Sequence, residues 1–149
     1  MAGIAVRVNT RSKLQALFSK KFLEAKIQHP MHIALSSRNY IMLDFDCPQK
    51  ESACLIEAEA IAKQLSAQFG GKACVYETPH GYHVVHFTWI RWDQVQKILR
   101  SLLKGINDGW FRYLDKQHIE ACLRRGYMTL RCNQTRKVVC YVNGVKTAF

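Results

Sequence analysis

Acidic residues are scarce in this chain: 11 Asp and Glu stand against 22 Lys and Arg, a net charge of +11 over 149 residues. An excess of that size argues for a polyanionic partner, and nucleic acid is the first candidate, because phosphate neutralisation by Lys and Arg supplies most non-specific affinity. Proline and glycine are also few, 3 and 8 residues, while nearly half the chain is apolar, which excludes a disordered or low-complexity chain. No apolar run reaches the ~18 residues needed to span a bilayer. The N-terminus, MAGIAVRVNTR, lacks the long apolar segment of a secretory signal. No membrane partner and a cytoplasmic location are therefore expected. None of the six cysteines pairs at C-x₂-C spacing, so structural zinc is not expected. In a cytoplasmic setting they read as reduced, small buried hydrophobes. There is no internal repeat and no linker, and the length fits one domain over residues 1–149.

What is present is organised around Tyr40 to Asp46, an apolar run ending in two carboxylates one residue apart. On a strand, Asp44 and Asp46 project to one face about 7 Å apart, while Ile41, Leu43 and Phe45 point into a core. Side-by-side carboxylates repel unless a cation lies between them, and Mg²⁺ or Mn²⁺ accepts such oxygens while keeping sites open for phosphate. The other reading is a pair of solvated strand-end aspartates.

In chain order, Thr10 caps a helix from about Arg11 to Lys26, so residues 1–30 read as an N-terminal helical extension. Met31 to Leu35 reads as a short strand, and Ser36 to Asn39 as a polar turn whose Arg38 is within reach of a phosphate. A helix follows from about Gln49 to Phe69. Ala73 to Thr78 and Tyr82 to Trp89 form a hairpin about Pro79-His80-Gly81. A helix from Arg91 to Lys104 precedes a loop, Gly105 to Gly109, and Trp110 to Leu114 is ambiguous. Asp115 N-caps a helix over Lys116 to Arg125, which Gly126 closes. Tyr127 to Arg131 and Val138 to Val142 read as strands, with Arg136 and Lys137 at the tip between them. His83 and His86, three apart on a strand, face opposite ways and do not form a metal pair.

The layout resembles the catalytic core of the archaeo-eukaryotic primase (primase-polymerase) superfamily. LDFD matches its hydrophobic-DxD strand at Asp44 and Asp46. VYETPHGYHVVHF matches its small-x-His hairpin, with Gly81-Tyr82-His83 in the motif positions. YLDKQHIEACLRRGYMTLR resembles the third region, with Asp115 as the acidic residue, Arg131 on the following basic strand and Lys137 just beyond; Asp108 and Asp93 are the other acids within range. The resemblance spans roughly residues 31–142. It implies an α+β fold, an RRM-like antiparallel sheet with helices packed on it. It also implies a metal-dependent nucleotidyltransferase, a primase or small DNA/RNA polymerase using Mg²⁺ or Mn²⁺. Asp44, Asp46 and Asp115 would hold the metal as catalytic residues, and His83, Arg131, Lys137 and Arg38 would meet phosphate. The implied partners are a single-stranded DNA or RNA template, nucleoside triphosphates, and a helicase or accessory primase subunit. The chain lacks room for the accessory zinc stem or helical priming module of many members. The competing reading is a non-catalytic nucleic-acid-binding or replication-initiator subunit on an RRM-like fold. Against an RNA-recognition module, aspartates occupy positions where stacking aromatics belong.

Overall fold

The run ending in two aspartates forms strand β3, Met42–Asp46, and its alternation decides how the rest of the chain is layered. Leu43 and Phe45 are fully buried on one face. Met42 is buried on the other, and there only Asp44 and Asp46 reach solvent. The computed structural model describes residues 3–20, 22–24, 32–132 and 135–147.

Around β3 the elements are β1 Gly3–Arg7, α1 Arg11–Leu17, β2 His32–Ser37, α2 Ser52–Phe69, β4 Lys72–Thr78, β5 Gly81–His86, α3 Trp92–Asn107, α4 Lys116–Arg125, β6 Met128–Cys132, β7 Arg136–Val142 and β8 Val145–Thr147. The fold is α+β. Among the described residues two sheets stand where a single antiparallel one was expected. One is five-stranded and antiparallel, in the order β3-β5-β4-β7-β8. The other is three-stranded, β1-β2-β6, and contains a parallel pair, β1 with β2. Gly3–Arg7 is thus a sheet strand, which corrects the reading of residues 1–30 as a helical extension. Helix α1 ends at Leu17, and the stretch expected to continue to Lys26 lies partly outside the described residues, as does Met31.

Helix α2 lays Cys54, Ala58, Ile61, Ala62 and Leu65 on the face of β4, β5 and β7 that carries Val75 and Val84. Ile61, Leu65, Val75 and Val84, buried whole, contribute about 1.5–3 kcal/mol each. Helix α3 turns Val95, Ile98 and Leu99 inward. Tyr76 packs under Phe18, ring centroids 4.7 Å apart, on the opposite face of the sheet, so the segment after α1 covers part of that face.

Several boundaries moved for local physical reasons. Helix α2 starts at Ser52 rather than Gln49, because Lys50 takes φ +54°, which no helix accepts. Its ammonium is held by Glu77 and by the carbonyls of Thr78 and Gly81. Gly105 lies inside α3 rather than in a loop: the Phe111 ring packs where a Cβ would sit, 2.5 Å away. Arg136 and Lys137, expected at a loop tip, begin β7.

The expectation of six reduced thiols is corrected. Cys47–Cys54 and Cys74–Cys140 are disulfides, and Cys122 and Cys132 are buried thiols. The second bridge joins residues 66 apart in sequence that become direct cross-strand partners only once β4 pairs with β7. No spacing rule reveals such a pair. His86 is fully buried, and its Nε2 donates to the Gly70 carbonyl at 2.8 Å. No helix among the described residues is long and apolar enough to cross a membrane.

Candidate active site

Asp44 lies between two neighbours on the same face. On one side β5 places His83 directly opposite, and its Nε2 is 3.2 Å from Asp44 Oδ1. On the other side the chain before α4 runs antiparallel to β3: Asp46 N–H donates to the Tyr113 carbonyl at 3.1 Å, and Asp115 N–H donates to the Asp44 carbonyl at 2.9 Å. Phe45 and Leu114 form a bridge between these two bonds. Asp115 is thereby the cross-strand neighbour of Asp44, and Asp46 follows two residues along the same face.

Helix α2 builds the Asp115 side. Glu57 accepts three backbone N–H groups, from Arg112 at 2.6 Å and from Tyr113 and Leu114 at 2.8 Å each. One carboxylate thus docks the whole segment that delivers Asp115. The sequence reading missed this residue, since a lone glutamate on a helix looks like a solvated face. Glu57→Ala should lower stability by about 2 kcal/mol, since unmade hydrogen bonds at partly buried N–H groups carry a desolvation cost. Glu57→Gln, which retains one acceptor oxygen, should fall between. Thermal unfolding, with amide exchange at residues 112–115 as the local readout, checks both.

The charges are unequal in exposure. The Asp44 side chain is 34% exposed and that of His83 only 7%, while Asp46 lies open to solvent. Burial raises the Asp44 carboxyl, but the His83 hydrogen bond and charge, with a further charge from His118, outweigh it and hold the pKa below the ordinary carboxylate value. His118 is the other residue sequence reading passed over. It sits in the first turn of α4, three residues after Asp115, whose Oδ1 accepts its N–H at 3.1 Å. Its Nε2 donates to the Thr129 carbonyl at 2.5 Å and lies 3.8 Å from Cys122 Sγ. Burial lowers its pKa, and the Cys122 bond and charge, the Thr129 carbonyl and Asp44 together raise it above the ordinary value. The Asp115-x-x-His118 spacing is the one sequence signal by which it could have been found. The Nδ1 atoms of His83 and His118 are both buried with no protein partner among the described residues.

The N-cap reading of Asp115 and its placement beside Asp44 hold together. The two alternative acids are engaged elsewhere, Asp93 with Arg91 at the start of α3 and Asp108 with Lys104 at its end, 2.6 Å apart.

The expected phosphate binders divide. His83 is in the site. Arg131 is exposed on β6, opposite Ala34, in the other sheet. Arg38 lies in the β2–β3 connection, its guanidinium 5.5 Å from the Trp92 ring centroid. Lys137 pairs with Tyr76, so β4 separates it from the β5 strand of His83. It lines a cavity of about 180 Å³ together with Lys20 and Lys72, and burial and then the Lys72 charge lower its pKa. No hydrogen bond or ion pair joins Arg38 or Arg131 to the three carboxylates among the described residues.

Among the described residues no three His, Cys, Asp or Glu side chains converge closely enough to hold an ion. The donor chemistry nevertheless suits a hard divalent cation. Among the described residues the Asp46 carboxylate makes no hydrogen bond or ion pair, Asp44 meets His83 through Oδ1, and Asp115 caps α4 through Oδ1. All three are carboxylates on adjacent segments. Comparison of the chain with protein-family models, with curated proteins and with solved structures returned no match.

Proposed function

We propose that this chain is a metal-dependent nucleotidyltransferase of the primase-polymerase kind, which makes or extends primers on a single-stranded template. One observation carries the reading: β3 and the segment before α4 set Asp44, Asp46 and Asp115 on one face, with His83 bonded to the central carboxylate. The topology supports it. From β3 the order is strand, helix, strand, strand, helix, followed by the Leu114 bridge on the free edge of β3. That order resembles the split βαβ order of ferredoxin-like and RRM-like sheets, with a single bridge where the last strand would lie.

Bound divalent ions, Mg²⁺ or Mn²⁺, would supply Lewis acidity toward an attacking 3′-hydroxyl and charge neutralisation for the leaving pyrophosphate. Asp44, Asp46 and Asp115 would hold them. His83, nearly buried, fixes the Asp44 carboxylate and is a positioning group in this geometry. Glu57 fixes Asp115 through the backbone. Arg131 and Arg38, both exposed, with Lys137 further along the sheet, provide counter-charge for phosphates. The broad positive balance holds a strand backbone without sequence preference.

The second reading, a non-catalytic nucleic-acid-binding or replication-initiator subunit that works with a helicase or accessory primase subunit, draws on the N-cap role of Asp115, which by itself accounts for that residue. Template-directed incorporation of labelled ribo- and deoxynucleotides decides between them. It is run with and without a primer, in Mg²⁺, in Mn²⁺ and in excess chelator. Synthesis that needs the divalent ion is expected, and the lane without primer separates initiation from extension. No synthesis in any lane, with single strands still bound at low salt, establishes the binding subunit.

A further inference from the structure

Among the described residues, one face of the three-stranded sheet has no cover. Its inner side buries Ile33, Leu35, Leu130 and Cys132. Its outer side is built in register: Ala5, Ala34 and Arg131 make one row across the three strands, and Arg7, Ser36 and Thr129 make the next. Alanine and serine are poor choices for an outward strand position, where β-branched and aromatic side chains suit the pleat better. Here they leave a floor with nothing beyond a Cβ or a hydroxyl. Above it lies a groove of about 530 Å³ whose walls include Arg7, Arg38, Asn9 and Tyr127, and none of its lining residues is acidic. Tyr127 is a large ring left 40% exposed. Neither Arg7 nor Arg131 has an acidic partner among the described residues.

Unpaired guanidinium groups around a small-residue floor, with an open aromatic ring at the margin, match one ligand chemistry: a flexible polyanion that carries flat faces. A duplex keeps its bases stacked inside, whereas a single strand offers them to an aromatic side chain. We propose that this outer face is the track for a single-stranded nucleic acid, with Arg7, Arg38 and Arg131 on its phosphates and Tyr127 stacked on a base. The track adjoins the carboxylate site through Thr129, which lines the groove and whose carbonyl accepts from His118, the residue whose backbone N–H is capped by Asp115. Naming the bound strand a template rests on the nucleotidyltransferase reading; the binding itself does not.

The test is fluorescence anisotropy of a labelled twelve-residue oligo-dT, in chelator so that chemistry is absent, over a salt series. Arg7→Ala and Tyr127→Ala should each weaken binding about tenfold, in line with the worth of one stacked base or phosphate contact. Arg7→Ala should also reduce the slope of log affinity against log salt by about 0.7, the single-strand value per phosphate. Tyr127→Phe should bind like wild type, because stacking needs the ring and not the hydroxyl. A duplex of the same length should bind more weakly and be indifferent to Tyr127→Ala. Circular dichroism confirms folding, and photocrosslinking of bromodeoxyuridine-substituted strand to wild type, expected at the Tyr127 peptide, needs no variant at all. Unchanged binding by Arg7→Ala and Tyr127→Ala, equal binding of duplex, or crosslinks confined to other surfaces would each overturn the track. Asp44→Asn/Asp46→Asn should bind the strand as wild type does. Loss of the catalytic reading with Tyr127-dependent binding intact, or synthesis with binding indifferent to Tyr127, tells the two proposals apart.

Discussion

Changing Asp44 and Asp46 together to asparagine is expected to lower template-directed incorporation by on the order of 10³-fold or more while leaving the fold intact, since charge stabilisation is the largest single contribution in such chemistry. Asparagine keeps the shape and one acceptor oxygen at each position. The stability effect should be small: Asp46 is solvent-exposed, and the Asp44–His83 pair, with Asp44 34% exposed, is worth about 1 kcal/mol or less in water-accessible surroundings. Relief of repulsion between neighbouring carboxylates offsets part of that. Unfolding curves and incorporation assays on the same preparations separate stability from chemistry. Asp115 needs a finer comparison, because it also caps α4 through Oδ1. Asparagine is as good an N-cap as aspartate, whereas alanine is not. Asp115→Asn should therefore keep its melting temperature and lose activity, and Asp115→Ala should lose both. Full synthesis by Asp115→Asn would make that residue a cap alone, and full synthesis by the double asparagine variant would end the nucleotidyltransferase reading.

The contrast between residues that could be read from sequence and those that could not is physical. Alternation is local, so the placement of Asp44 and Asp46 on one face and of Leu43 and Phe45 in the core followed from a strand's period of two. Capping is local too: the bounds of α4 at Lys116 and Arg125 coincide with those predicted from Asp115 and Gly126. Strand β1 was invisible because its stability comes from a parallel partner across a crossover, and Gly3–Arg7 alone is short and carries no turn signal. The docking of residues 112–114 on Glu57, the ladder that makes Cys74 and Cys140 neighbours, and the Lys50 clamp on the 78–81 turn are all contacts between distant segments. No pattern in either segment encodes them. The expectation of one sheet failed for the same reason, since strand partners are chosen by the whole topology.

Gly81→Ala should be the most damaging single methyl in the region. A Cβ at Gly81 would sit 1.9 Å from the Phe45 carbonyl oxygen, 3.0 Å from its carbon and 3.2 Å from the Cys47 nitrogen. These are backbone atoms of β3 and the residue after it, so no side-chain rotation relieves the clash. The β3–β5 ladder must open, and it is the ladder that pairs Gly81 with Asp46 and His83 with Asp44. This gives the small residue of Gly81-Tyr82-His83 a physical reason: it lets the DxD strand approach the hairpin closely. A cost of about 2–4 kcal/mol is expected, in the range of overpacking and backbone strain, which for a domain of this size lowers Tm by roughly 10 °C. Gly126→Ala is the control. Gly126 takes φ +86° with open space around its Cβ position, so its cost is conformational only, about 1 kcal/mol. Gly81→Ala should also depress strand synthesis beyond its effect on the folded fraction, because His83 and Asp46 shift with the ladder, whereas Gly126→Ala should not. Similar melting temperatures for the two variants would show that β3 and β5 are not packed as closely as the 1.9 Å contact requires.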